Sequence, residues 1–93
     1  MSSVQRWRWD VQLSSINDTR VAQFPPEAGV NSHTGVFVSV AEIGGGDVPF
    51  QGSAMISVWN VVASDDGKVS LVIRVQPDFF NLRVRVQFLI SND

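Results

Sequence analysis

The residue types that most often carry catalysis are few in this chain and are dispersed. There is one histidine, His33, and no cysteine, which excludes a cysteine nucleophile and a thiolate metal site. Glu27 is the acid nearest to His33 in sequence, and one imidazole with one carboxylate does not make a zinc site. A serine hydrolase would need a Gly-x-Ser-x-Gly turn, which the sequence lacks.

Two short segments contain residues that also occur in catalytic and phosphate-binding sites. Asp65 and Asp66 are adjacent, whereas glycoside hydrolysis needs two acids that face each other across a cleft. Residues 44–46 are three glycines followed by Asp47, but no Gly-Lys-Ser/Thr sequence and no helix follows them. Asp47 also lacks the aspartate spacing of a calcium loop. We therefore predict that the protein is not an enzyme and binds no metal and no cofactor.

Five arginines fall on the polar sides of predicted strands: Arg6, Arg8, Arg74, Arg83 and Arg85. If the first and last strands are neighbours, these side chains form a basic stripe, which small β-barrels use to bind single-stranded nucleic acid. The formal net charge of −2 argues against this function, as does the opposite parity of the aromatic residues in the strands. Nucleic-acid binding is therefore the third hypothesis.

Two long irregular stretches, residues 25–35 and 44–52, are the predicted recognition loops. The predicted ligand-binding residues lie in these loops and in the connection before the last strand: Asn31, His33, Asp47, Phe79 and Phe80. One of the phenylalanines, or a tryptophan at a rim, would stack on a sugar ring. The asparagine and the aspartate of this set, together with Asn60, would supply hydrogen bonds. A lectin-like carbohydrate-binding module is the second hypothesis.

The alternation of apolar and polar residues predicts the strands that position these side chains. In residues 4–16 the odd positions from Trp7 to Leu13 are apolar, and a period of two indicates a half-buried strand. Further strands are predicted at 20–24, 36–43, 53–63, 69–76 and 82–90. The chain is predicted to be a single all-β domain, residues 1–93. Its fold is an antiparallel sandwich or flattened barrel of about six strands. The last three strands would form a meander, and the first strand is a candidate neighbour of the last.

Residues 36–43 are apolar on both faces, which predicts a central strand that is covered on each side. Together with the alternating strands this segment supplies the predicted core. Its members are Trp7, Trp9, Val11, Leu13, Phe37, Val38, Val40, Trp59, Val61, Leu71, Ile73, Val75, Val84, Val86 and Phe88.

The hairpin of residues 53–76 is the most informative segment. Asp65-Asp66-Gly67 predicts a three-residue loop in which Gly67 is left-handed. Ser64 then pairs with Lys68, and the same register places Trp59 in the core opposite Ile73. The opposite face of the hairpin carries four aliphatic side chains: Ile56, Val58, Val62 and Val72.

A contiguous apolar face of this kind usually marks an interface, and a charged content of only 17% also favours self-association. The leading hypothesis is a non-enzymatic binding or assembly module that acts as a homo-oligomer through this face. A carbohydrate or protein ligand would bind at the two loops. No apolar run approaches the roughly 20 residues that span a bilayer. The first residues are not followed by the apolar segment that a secretory signal peptide contains. We expect a cytoplasmic protein, with secretion by another route as the alternative.

Overall fold

The computed structural model describes residues 4–13, 17–44, 46, 48–50, 55–76 and 82–92, with the backbone alone at Phe50. Within these ranges the strands are β1 (Val4–Leu13), β2 (Asn17–Gln23), β3 (Gly35–Ile43), β4 (Pro49–Phe50), β5 (Met55–Ala63), β6 (Lys68–Gln76) and β7 (Leu82–Ser91). Sheet A has the order β1-β7-β3-β4 and sheet B the order β2-β6-β5. All pairs are antiparallel. The predicted all-β sandwich of six long strands is confirmed.

The core lies between the two sheets because the inward side chains of the central strands β6 and β7 are apolar throughout. Eight of them are at most 2% exposed: Val69, Leu71, Ile73, Val75, Val84, Val86, Phe88 and Ile90. Fully burying one such side chain contributes roughly 1.5–3 kcal/mol. Phe24, which follows β2, packs edge to face on Phe88 and on Trp7, with ring centroids 5.2 Å and 5.5 Å apart. This is a preferred geometry for aromatic pairs.

The first and last strands are neighbours, as predicted, because β1 pairs with β7 along its whole length. The predicted C-terminal meander is wrong, since β6 and β7 belong to different sheets. Each of these strands is central in its own sheet, so its two edges are already hydrogen-bonded and its apolar face is turned to the other sheet. Arg74 on β6 is therefore separated from Arg83 and Arg85 on β7, although the meander would have placed the three together.

One predicted boundary also changes. β2 begins at Asn17, three residues before its predicted start at residue 20. The first strand was expected to extend to residue 16; it is described as far as Leu13, and residues 14–16 lie outside the described residues. Asp18 accepts a hydrogen bond from the guanidinium of Arg20 at 2.7 Å on the same strand, so this polar pair is satisfied within an extended segment.

The turn of the β5–β6 hairpin has the predicted geometry. The amide of Gly67 donates to the carbonyl of Ser64 at 3.1 Å, and the amide of Ser64 donates to the carbonyl of Lys68 at 3.0 Å. Gly67 has a φ of 80°, in the left-handed region that glycine adopts without strain. Next to the turn, Val62 lies opposite Ser70, which is also the predicted register.

The register changes further along β5. Trp59 lies opposite Val72, so residues 60 and 61 of β5 together face only residue 71 of β6. Two residues opposite one is a β-bulge. Asn60 has a φ of 52°, and no other non-glycine residue in the described part of the chain has a positive φ. Among the non-glycine residues that adopt the left-handed backbone conformation, asparagine is several-fold enriched.

The bulge exchanges the two faces of β5 beyond it, because a shift of one residue turns every side chain of a strand to the other side. Ile56 and Val58 point inward and pack against the core, so their assignment to an exposed interface is wrong. Trp59 was predicted for the core, and it lies on the outer face with 53% of its surface exposed. Of the predicted interface, Val62 and Val72 remain on the outer face.

The two predicted recognition loops are at opposite ends of the sandwich. The loop of residues 25–35 leads into the first residue of β3, and the loop of residues 44–52 leaves from its last residue. A strand of nine residues such as β3 spans about 30 Å. The described residues of the two loops therefore lie at opposite ends of β3 and do not share one recognition surface.

Candidate functional site

The outer face of sheet B presents an indole with a defined orientation. Nε1 of Trp59 donates to the hydroxyl of Ser57 at 2.8 Å. Ser57 lies two residues earlier on the same face of β5, so this hydrogen bond holds the indole along the strand. A half-exposed aromatic ring held in this way offers a flat apolar surface on which a ligand can stack.

Polar side chains adjoin this ring. Val72 lies opposite Trp59 across the β5–β6 pair, and Asn17 lies opposite Arg74 in the next row of the sheet. These side chains line a shallow depression of about 160 Å³, formed by Asn17, Trp59, Asn60, Val72 and Arg74. We call these five residues the Trp59 platform. It joins one aromatic ring to two amides and a guanidinium.

Exposed apolar side chains continue the outer face of sheet B beyond the platform. Val21 on β2 and Val62 on β5 lie on either side of Ser70, and Met55 lies at the start of β5. The predicted apolar face thus exists on this sheet, but with a different membership: Trp59, Val21 and Met55 accompany Val62 and Val72 in place of Ile56 and Val58.

The outer face of sheet A carries four of the five arginines of the predicted stripe. Arg6 and Arg8 stand on β1, and Arg83 and Arg85 on β7; we call these four residues the arginine face. Nε of Arg85 donates to a carboxylate oxygen of Asp10 at 3.0 Å. This hydrogen bond from Arg85 is the main reason that the pKa of Asp10 lies below its usual range.

The fifth arginine of the predicted stripe lies elsewhere. Arg74 belongs to the Trp59 platform on the opposite side of the sandwich, so its assignment to the stripe is wrong. Glu42 on β3 points inward and is buried, so it lies off the arginine face. Asp10 is the carboxylate that pairs with an arginine there.

Phe37 lies on the same side of the molecule as the arginine face. It was predicted for the core, and it is 66% exposed on the outer face of β3. It stands opposite Leu89 on β7, which in turn stands opposite Arg6 on β1. The prediction that β3 is covered on both sides is therefore wrong at Phe37, because sheet B packs only on the inner face.

Two of the five predicted ligand-binding residues lie in the described part of the chain, both in the loop between β2 and β3. The side-chain amide of Asn31 donates to the carbonyl of Gly29 at 3.2 Å, and its oxygen accepts from the backbone amide of His33 at 2.8 Å. Asn31 therefore shapes its own loop, and His33 is exposed on that loop. The other three lie outside the described residues: Asp47, Phe79 and Phe80.

The adjacent carboxylates of the hairpin turn are both used in local hydrogen bonds. Asp65 accepts from the backbone amide of Ser32 at 2.9 Å, and this bond lowers the pKa of Asp65. Asp66 accepts from the hydroxyl of Ser64, which lowers the pKa of Asp66. The two carboxylates thus support a loop and a turn, and they do not face each other across a cleft.

Sequence reasoning missed the Trp59 platform because it assumed an unbroken strand. The signal that could have revealed the bulge is Asn60, which interrupts a run of apolar residues at a position where asparagine is depleted in strands. If Asn60 is treated as an inserted residue, Ile56, Val58, Val61 and Ala63 fall on one face, as the structure has them.

No cluster of three or more histidine, aspartate or glutamate side chains that could hold a metal ion occurs among the described residues. The same part of the chain contains no helix with the length and apolar character needed to cross a bilayer. No protein-family model, curated protein or solved structure matches this chain. Function is therefore inferred from the chemistry of the two outer faces.

Proposed function

We propose that the protein is a non-enzymatic binding module that holds a carbohydrate on the Trp59 platform. The observation that carries this proposal is the bulge at Asn60, which leaves Trp59 in solvent when the regular register would have buried it. Non-glycine residues in the left-handed region are uncommon, and they are concentrated at ligand sites. Bulges are likewise frequent where a strand must redirect a side chain.

The platform has the composition of a sugar site. A pyranose ring has an apolar C–H side, which stacks on an aromatic face, and a rim of hydroxyl groups. The donor of the Trp59 indole is already bonded to Ser57, so the ring face is the part left to a ligand. Asn60 offers an amide donor and acceptor, and Arg74 offers further donors. Few polar groups around an apolar surface are typical of small-molecule sites.

The platform has no groups for cleaving a glycosidic bond. Glycoside hydrolysis in most enzymes requires a pair of carboxyl groups on either side of the bond. The described residues that line the depression include no aspartate and no glutamate. The proposed role is therefore to bind the sugar without modifying it.

A glycan array followed by isothermal titration calorimetry tests the proposal. We expect Trp59→Ala to weaken binding at least about tenfold, since a central aromatic contact commonly contributes more than about 1.4 kcal/mol. Phe37→Ala is the matched control, because it removes an exposed ring from the opposite face and should leave the affinity unchanged. Tryptophan emission should respond to the sugar in the wild type and not in Trp59→Phe.

Two outcomes contradict the carbohydrate proposal. One is a wild-type protein that binds no glycan on the array. The other is a Trp59→Ala variant that binds the sugar with wild-type affinity, which would place the ligand elsewhere on the molecule.

Self-association through the same face is the second candidate function. The exposed side chains of Met55 and Val62 beside the platform favour it, because contiguous exposed apolar surface marks protein interfaces. Arg74 within the platform favours the carbohydrate instead, since the centres of protein interfaces are depleted of charged residues.

Sedimentation equilibrium tests self-association. If this candidate is correct, the wild type has at least twice the monomer mass, and Val62→Asp sediments as a monomer because the charge would be buried at the interface. Val4→Asp, which adds the same charge at an exposed position of sheet A, should keep the wild-type mass. A monomeric wild type contradicts the candidate.

A further inference from the structure

The outer face of sheet A is basic although the chain as a whole is acidic. Four arginines and one aspartate project from the outer faces of β1 and β7, an excess of three positive charges, in a chain with a net charge of −2. Such a concentration of charge attracts polyanions to one side of a protein. Among the described residues, Arg6 and Arg8 take part in no ion pair. They are two residues apart on one strand, so they leave the sheet about 7 Å apart.

An exposed aromatic ring adjoins these arginines. Arg6, Leu89 and Phe37 form one row across the neighbouring strands β1, β7 and β3. Two strand spacings place the backbone of Phe37 about 10 Å from that of Arg6. The expectation that the aromatic residues have the opposite parity from the arginines is thus wrong for Phe37.

Two adjoining depressions lie beside the ring and the arginines. One depression, of about 280 Å³, is bordered by Phe37, Leu89 and Arg6. The next, of about 310 Å³, is bordered by Arg6 and Arg8. Both include Arg6 and Gln87 in their walls, so the two depressions adjoin each other on sheet A, and we call them together the channel.

We propose that this channel binds single-stranded nucleic acid, with phosphates at Arg6 and Arg8 and a base stacked on Phe37. Proteins that bind single strands without sequence preference combine a basic groove with aromatic rings on which bases stack. Gln87 and Ser39 continue the neighbouring row from Arg8 across β7 and β3, and both can hydrogen-bond to base edges. A duplex keeps its bases stacked inside, so the exposed ring favours a single strand. An acidic peptide would contact the arginines and would leave the ring without a flat partner.

Fluorescence anisotropy with a labelled oligothymidine of about 12 nucleotides, within the usual site size of single-strand-binding barrels, tests the proposal over a series of salt concentrations. Arg6→Gln should reduce the slope of log affinity against log salt by about 0.7, the value for one phosphate contact on a single strand. Phe37→Ala should weaken binding about 5- to 150-fold with an unchanged slope, because it removes stacking and no charge.

Two control variants on the opposite face make the test specific. Arg74→Gln removes the same charge as Arg6→Gln, and Trp59→Ala removes an exposed ring like Phe37→Ala. Both controls should retain wild-type affinity and slope for the oligonucleotide. Circular dichroism of each variant establishes that the fold is intact, which is expected because all four side chains lie on outer faces.

Three results overturn the proposal. The first is no binding by the wild type at about 50 mM salt, where contacts to phosphate are strong. The second is an equal loss of affinity in Arg74→Gln and Arg6→Gln. This would show that the net charge of the protein attracts the oligonucleotide and that there is no specific site. The third is a combination of two observations: oligoglutamate competes for the wild-type protein as well as unlabelled oligothymidine does, and Phe37→Ala binds the oligothymidine with wild-type affinity. Together they would assign the face to an acidic protein partner.

Discussion

Among single residues, Asn60 has the largest effect on the surface of this protein. Its left-handed backbone inserts one extra residue into β5, so Val58 turns inward and Trp59 turns to solvent. Asparagine adopts this conformation more readily than other non-glycine residues, because its short polar side chain can hydrogen-bond locally. One backbone angle therefore determines whether sheet B presents an indole or a valine to a ligand.

Substitutions at Asn60 test whether the bulge is present. Asn60→Ala should lower the free energy of unfolding by about 1–2 kcal/mol, because a Cβ atom is strained in the left-handed region. Asn60→Gly should stay within about 0.5 kcal/mol of the wild type, because glycine adopts that region freely. Urea unfolding followed by circular dichroism measures both values. Equal stabilities of the alanine and glycine variants would argue against a left-handed residue at this position.

Among the elements, the segment between β2 and β3 closes one end of the core. It contains a 3-10 turn, Pro26–Ala28, and it buries Ala28 and Val30 against the sandwich. Asn92, just after β7, donates from its amide to the carbonyl of Ala28 at 3.0 Å and accepts from the hydroxyl of Thr34 at 2.6 Å. The loop that the sequence suggested for recognition thus serves as a structural cap.

The contact between this segment and the hairpin turn should depend on pH. The hydrogen bond from Ser32 makes the pKa of Asp65 lower in the folded chain than in the unfolded chain. A group with a lowered folded pKa stabilises the fold above its unfolded pKa, and this contribution is lost as the pH falls through the lowered value. We therefore expect the contact to weaken only in acid, below the ordinary titration range of a carboxyl group.

Nuclear magnetic resonance of the Ser32 amide measures this dependence. Its resonance should move, and its protection factor against hydrogen exchange should fall, as Asp65 becomes protonated. Asp65→Asn should abolish the acid transition at Ser32, whereas Asp66→Asn should preserve it. A Ser32 resonance that is independent of the protonation of Asp65 would contradict the contact.

In the whole molecule, one aliphatic and aromatic layer between two sheets leaves both outer faces open to ligands. The central strands β6 and β7 supply most of that layer, and Phe24 joins Phe88 to Trp7 through its ring contacts with both. The Trp59 platform and the arginine face lie on opposite sides of the same core. The two proposed ligands therefore do not compete for space, and each site can be altered without the other.

A pair of identical substitutions separates the contribution of the core from that of the outer faces. Phe88→Ala should lower the free energy of unfolding by about 3–5 kcal/mol, because it opens a cavity at a fully buried position. This is a large part of the roughly 5–15 kcal/mol that stabilises a typical domain. Phe37→Ala should change it by no more than about 0.5 kcal/mol, since the ring is exposed. Urea midpoints measure both, and similar losses would contradict the assignment of Phe37 to the surface.

Features that depend on neighbouring residues could be predicted from the amino-acid sequence. Alternation with a period of two was enough to predict β1, β6 and β7 and their inward side chains. The turn at residues 64–68 followed from the left-handed preference of Gly67 and the local hydrogen bonds of Asp65 and Asp66. The all-β class followed from the number of such segments and the absence of a helical period.

Which faces are covered and which strands are neighbours could not be predicted in this way, because both depend on contacts between distant parts of the chain. An apolar run such as that around Phe37 fits a strand buried on one side or on both, and the choice depends on what packs on it from distant parts of the chain. β6 pairs with β2 and β5, whereas β7 pairs with β1 and β3. These long-range pairings separate β6 and β7 into different sheets. The bulge at Asn60 is a local change, but its effect on Trp59 depends on the whole strand keeping its inner face on the core. A one-residue shift is nearly invisible in composition, yet it reverses a face, because side chains alternate along a strand.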